Sequence, residues 1–216
     1  MDSITICRDV TTPALALWET LPNLAMDKVP LAKKKSEYET AELRDLTLDK
    51  LADLNTPLRI YTDGSTGGDQ KRGGACIYIE DEDGNSILEA SYPAGEYCSS
   101  YSGEGVAAVK ALEWLVENPA DATLCTDSLS LHEALNCNRW NDLDPCINRL
   151  KALIRTIPTN ITILWLPSHC GVAGNDKADD LANRGAQMDQ SGVPVTHNIV
   201  KAKIKSRKWE IVHERA

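Results

Sequence analysis

The pattern that most restricts the fold of this chain lies between residues 57 and 186, where three β-rich segments are followed by an alternation of helix and strand. Leu58 to Thr62 alternates apolar and polar residues, and Gly74 to Glu80 follows as a second strand. Asp83-Gly84-Asn85 makes a hairpin turn, and Ile87 to Tyr97 returns as a third strand. Val106, Val109, Leu112, Leu115 and Val116 then recur at helical spacing, after a serine-rich start that offers N-caps and before a stop at Asn118-Pro119. Ala122 to Thr126 reads as a strand, Ser128 to Asn136 and Cys146 to Ile157 as helices, and Ile161 to Leu166 as a buried strand. A final helix spans about Asn175 to Ala186. The order βββ-α-β-α-α-β-α predicts an α/β domain with a mixed sheet and helices on its faces.

The flanks differ in character. Residues 1–56 carry a short apolar helix candidate, Ala14 to Leu21, and a charged stretch from Lys33 to Asp53 with sparse leucines. They read as an N-terminal extension or tether. Residues 187–216 read as a polar linker, with Gly192 and Pro194, leading to a basic helix around Val200 to His213.

Charge follows the same division. The chain of 216 residues has a formal net charge of -9, and residues 57–186 hold 19 acidic against 10 basic side chains, whereas 187–216 hold 3 against 6. A polyanion usually needs a basic face, so the acidic body at first argues against nucleic acid. No apolar run spans a bilayer and the start lacks a signal-peptide pattern, so a membrane partner is excluded and an intracellular place, cytoplasm or nucleus, is expected. The seven cysteines are scattered without a C-x-x-C pair, as suits thiols used as small apolar residues. His169-Cys170 lacks the second ligand pair a zinc site requires.

Four acids stand out by position. Asp63 is expected to end the first strand and Asp127 the fourth, Glu104 to lie in the first turn of the long helix, and Asp179 or Asp180 to face the sheet from the last helix. Each alone has an ordinary explanation as a turn cap, an N-cap, a partner of the helix dipole or a solvated surface charge. Together they describe a carboxylate cluster beyond neighbouring strand ends, untenable without cations. Hard oxygen ligands select Mg²⁺ or Mn²⁺, and a pair of such ions suits phosphoryl transfer. His169, in a glycine-flanked loop, is placed to move protons or assist product release.

At these residues the chain resembles the type 1 ribonuclease H family, and most of all the domains found in non-LTR retrotransposon polyproteins. The resemblance rests on Tyr61-Thr62-Asp63-Gly64-Ser65, the Glu104 helix start, Cys125-Thr126-Asp127-Ser128, and the long motif from Trp165 to Asp179. It implies a five-stranded mixed sheet in the order 3-2-1-4-5. It also implies that Asp63, Glu104, Asp127 and Asp179 bind two Mg²⁺, with Mn²⁺ as an alternative, and that His169 is an auxiliary catalytic residue. The implied activity is hydrolysis of the RNA strand of RNA/DNA hybrids, and the implied covalent partner is a reverse transcriptase domain of the same polyprotein. Gly64, Ser65, Ser100, Tyr101, Ser128 and Asn175 are the residues the resemblance turns toward the hybrid.

Two departures qualify this picture. Leu129 stands where relatives often carry a polar, substrate-facing residue, and residues 138–144 lack the basic extension that free-standing bacterial relatives use as a substrate handle. Such a domain is expected to bind hybrid weakly alone and to depend on metal and a fused partner. The competing readings are a catalytically weak scaffolding module and a nuclease of the same fold acting on DNA.

Overall fold

A computed structural model describes residues 20–67, 72–137 and 145–193. The helix candidate Ala14 to Leu21 (but for its last two residues), residues 138–144 and the basic helix around Val200 to His213 lie outside the described residues.

The sheet has six strands: β1 (Leu24–Lys28), β2 (Leu58–Gly67), β3 (Arg72–Asp81), β4 (Ser86–Gly95), β5 (Ala122–Thr126) and β6 (Ile161–Trp165), in the order β1-β6-β5-β2-β3-β4. The strands β2–β6, numbered by themselves, run 3-2-1-4-5, the order the resemblance implies. β2, β3 and β4 pair antiparallel, and β5 and β6 extend the sheet parallel to β2. The sixth strand, β1, is an addition. It comes from the N-terminal extension and pairs parallel with β6, so the described part of that extension is docked rather than a free tether.

Period-two alternation divides the core between the two faces of the sheet. Ile60, Ile77, Ile79, Leu124 and Ile163 point to one side, where α2 (Ser100–Glu117), α3 (Leu129–Asn136) and α4 (Pro145–Thr156) bury Leu112, Leu115, Leu131, Leu150 and Ile154 against them. Their neighbours Tyr61, Cys76, Cys125 and Leu164 point to the other side, toward α5 (Ala173–Gln187) and α1 (Thr40–Leu54). Cys76, Cys125 and Cys170 are buried and unpaired, filling small spaces on that second face.

α1 joins the body because Leu43, Thr47 and Leu51 recur every four residues and fall on one side of the helix. The Thr47 hydroxyl is satisfied within the helix by donating to the Leu43 carbonyl at 2.7 Å, so the apolar stripe tolerates it. Directly after β1, Val29 continues the edge pairing by donating its backbone N–H to the Trp165 carbonyl at 3.0 Å.

Two sequence expectations are corrected. β2 does not stop at Thr62; pairing with β3 continues to Gly67 opposite Arg72, which places Asp63 inside the strand, opposite Cys76. Glu104 is not in the first turn of its helix: Ser99 is the N-cap, accepting a hydrogen bond from the Ser102 N–H, and Glu104 lies one turn further in. No helix among the described residues is long and apolar enough to cross a membrane.

Docking of the extension predicts a sharp contrast along α1. Leu51→Ala, at a side chain only 3% exposed, should lower unfolding free energy by about 3 kcal/mol in chemical denaturation, whereas Leu48→Ala, at a position 44% exposed, should change it by less than about 0.5 kcal/mol.

Candidate active site

The site forms where β2, β5, α2 and α5 converge. β2 carries Asp63 and, one residue on, Gly64. A Cβ at Gly64 would lie 2.1 Å from the Glu104 backbone nitrogen, so only glycine lets α2 come this close to the strand. Gly103 completes the contact, for a Cβ there would come 3.1 Å from the Gly64 Cα. The close approach sets the Glu104 carboxylate beside Asp63.

Asp127 follows β5 and is fixed through its backbone. Its carbonyl accepts from the Trp165 indole N–H at 3.1 Å, and the next N–H, of Ser128, donates to the Thr126 hydroxyl at 3.1 Å. Ser128 is the N-cap of α3 and accepts from the Leu131 N–H. Asp127 is therefore free of the capping duty that its position first suggested.

Asp63, Glu104 and Asp127 each place a carboxylate oxygen within 4.8 Å of the others. Glu104 is 5% exposed, and its Oε2 has no hydrogen-bond partner. A buried, unpartnered carboxylate oxygen facing two further acids is costly unless a cation meets it. The oxygen-only donor set fits a hard divalent ion.

The electrostatics agree. Burial, reinforced by the charges of Asp63 and Asp127, pushes the Glu104 carboxyl up to about 9. Burial, then the charges of Asp127 and Asp179, pushes Asp63 up to about 6. Burial also raises Asp127, opposed by the nearby positive charge of His169 and Lys35.

These three acids lie in a cleft of about 410 Å³ that Asp179, Ser168, His169 and Asn175 also line, together with Gly64, Ser65 and Thr66. Of the two adjacent acids on α5, Asp179 faces the cleft and Asp180 is exposed. Asn183 links the two sides: it accepts from the Ser65 hydroxyl at 2.5 Å and donates to Asp179 at 3.4 Å. His169 stands exposed on its loop with φ of 51°, in the left-handed region, next to the buried Cys170, and lines the cleft.

The family comparison decides what such a cleft belongs to. The family model for RNase H matches residues 55–187, more than half of the chain. The chain belongs to the RNase H family. Its enzyme class is accordingly that of a ribonuclease H, a family that uses divalent metal ions. Among curated relatives, the ribonuclease H of Jannaschia sp. (strain CCS1) is 28% identical over 155 residues, covering 61% of this chain and 92% of its own. That of Francisella tularensis subsp. novicida (strain U112) is 29% identical over 136 residues, covering 57% and 87%. The fold is shared with RNase H1 from Halobacterium salinarum NRC-1, at 24% identity and a TM-score of 0.50 over 60% of this chain and 97% of that one. It is shared too with LC11-RNase H1 solved in complex with RNA/DNA hybrid, at 22% identity and a TM-score of 0.52 over 60% and 96%.

Within this RNase H cleft the sequence-derived residues sort by position. The four acids, His169, Gly64, Ser65 and Asn175 come together. Ser100, Tyr101 and Ser128 are not in the lining: Ser100 is exposed at the start of α2, Tyr101 packs partly against the core, and Ser128 caps α3. Thr66, on β2, and Ser168, in the loop before α5, also line the cleft, and a lone hydroxyl residue carries no distinctive sequence signal.

The raised carboxyl groups fix a sign. Asp63 and Glu104 hold protons more tightly folded than unfolded, so between the ordinary carboxylate range and their raised values the folded state loses stability as pH rises. In EDTA the melting temperature should therefore fall between about pH 5 and about pH 9, and Glu104→Gln should flatten that decline. A melting temperature independent of both pH and this substitution would contradict it.

Proposed function

We propose that the chain is an endoribonuclease that hydrolyses the RNA strand of RNA/DNA hybrids using two divalent ions, Mg²⁺ or Mn²⁺, held by Asp63, Glu104, Asp127 and Asp179. The observation that carries the reading is the buried, unpartnered Glu104 oxygen within 4.8 Å of two other carboxylates. Hybrid as substrate is supported by the solved complex of LC11-RNase H1, a protein of the same fold. When bound, the ions supply charge neutralisation of the acids and Lewis-acid activation for phosphodiester hydrolysis.

The chain's own residues supply the rest. Asp63 on β2 and Glu104 on α2 are held beside each other by the close approach of the two backbones, and the Asp127 backbone is held by Trp165. Asp179 is steadied by Asn183. Asn175, 5% exposed in the first turn of α5, and the Gly64-Ser65 backbone form the wall that would meet the nucleic-acid backbone. His169 at the rim is the group available to carry a proton as the 3'-hydroxyl and 5'-phosphate products separate.

The setting is the finer part of the proposal. The motif from Trp165 to Asp179 supports a place in a retrotransposon polyprotein, next to a reverse transcriptase that makes the hybrid, and hence an intracellular one in cytoplasm or nucleus. A scaffolding role alone would leave the repulsion among the acids without purpose.

The test is cleavage of labelled RNA/DNA hybrid with Mg²⁺ and with Mn²⁺, beside duplex RNA and duplex DNA. Wild type should cut the RNA of the hybrid alone. Asp127→Asn should lower the rate by about a hundredfold or more while raising the melting temperature in EDTA by about 3 °C, the equivalent of ~1 kcal/mol. A wild-type chain that leaves hybrid intact while an active control cuts it, or that prefers duplex DNA, overturns the proposal.

A further inference from the structure

The acidic body and the missing basic extension at residues 138–144 leave open what holds a polyanion against this cleft. The docked N-terminal arm answers with cations of its own. Between β1 and α1 the chain carries Lys33-Lys34-Lys35, and the arm delivers Lys35 to the cleft rim. Its Nζ donates to the Ser168 hydroxyl at 2.6 Å, and Ser168 lines the cleft together with the carboxylates and His169. The same ammonium is close enough to Asp127 to oppose the rise of its pKa.

The arm holds this position by several independent contacts. β1 pairs with β6 along five residues, and Val29 extends the pairing to Trp165. The Tyr38 hydroxyl accepts from the Ala32 and Lys33 N–H groups at 2.7 and 3.3 Å, closing the loop that presents the lysines. Behind it, α1 packs Leu43 and Leu51 onto the second face of the sheet. From α1, Arg44 lies over the same cleft-lining loop, its Cδ 3.6 Å from where a Gly171 Cβ would be.

Lys33 and Lys35 are not equivalent. Lys33 is engaged within the arm, its Nζ 4.3 Å from the Tyr38 ring centroid and 3.7 Å from Glu42. Lys35 is exposed, and a hydroxyl uses only one of its three ammonium donors. Two donors remain for an anion. For a phosphate approaching the four acids, an ammonium at this rim lowers the electrostatic cost of the approach.

We infer that Lys35 is a substrate-binding residue, contacting a backbone phosphate beside the scissile one, and that the N-terminal arm takes the place of the absent basic extension. The inference rests on the RNA/DNA reading above. Lys35 acts on binding: it places the hybrid and does not touch the reacting bond. Affinity therefore belongs in part to this chain itself, with a fused partner adding to it.

The test compares wild type, Lys35→Ala and Lys35→Arg in steady-state hybrid cleavage with Mg²⁺, over a series of KCl concentrations, with melting temperatures measured for each. Lys35→Ala should raise KM roughly three- to tenfold with kcat within about twofold, and should reduce the slope of log KM against log salt by about one. Lys35→Arg should restore most of the loss, and all three melting temperatures should agree. A wild-type chain that cuts hybrid while Lys35→Ala leaves KM and the salt slope unchanged overturns this inference and spares the activity. A fall in kcat alone also overturns it, by assigning Lys35 to Asp127 or His169 instead of the substrate. A wild-type chain that does not cut hybrid removes the activity on which both readings stand.

Discussion

Repulsion among carboxylates held together by the backbone is the constraint on which this structure turns. Asp63 and Glu104 cannot move apart, because β2 and α2 meet through Gly64 and Gly103 at a separation that admits no side chain. The packing of Leu112 and Leu115 on Ile60 and Ile77 stands behind that contact and keeps it closed. The fold thus spends part of its hydrophobic stability to hold charges that would otherwise separate, a cost that makes sense only if positive charge occupies the cleft when the protein works.

The same constraint recasts the charge of the chain. A net charge of -9 reads as hostile to nucleic acid only when it is spread over the surface. Much of what matters is local: three acids gathered at one point, with Lys35 and His169 on the rim beside Asp127. In the proposed reading, divalent ions at the centre and an ammonium at the edge would together form the surface a phosphate backbone meets.

Much of this was legible in the sequence, for reasons particular residues make clear. Strands β2 to β6 announce themselves through alternation at Leu58 to Thr62, the hairpin turn Asp83-Gly84-Asn85 and the short apolar runs Ala122 to Thr126 and Ile161 to Leu166, and the long motif ending at Asp179 separates that acid from its neighbour Asp180. What stayed hidden depended on distant partners. β1 is a five-residue edge strand whose pairing with β6 joins residues far apart in sequence, and the stripe of α1 is interrupted by Thr47, whose hydroxyl is satisfied inside the helix. Asp63-Gly64-Ser65 reads as a turn, yet pairing with Gly74 and Ala75 carries the strand through it. Lys35 gave no local signal at all, since its partner Ser168 lies 133 residues away.

The central claim is that the cluster of Asp63, Glu104 and Asp127 exists to hold divalent cations, and it is tested most directly by calorimetric titration of the EDTA-stripped, dialysed protein with Mn²⁺. The account predicts saturable binding that Glu104→Gln weakens severely, accompanied by a rise in wild-type melting temperature as the site fills. Heats indistinguishable from dilution, or binding that survives Glu104→Gln unchanged, would contradict it.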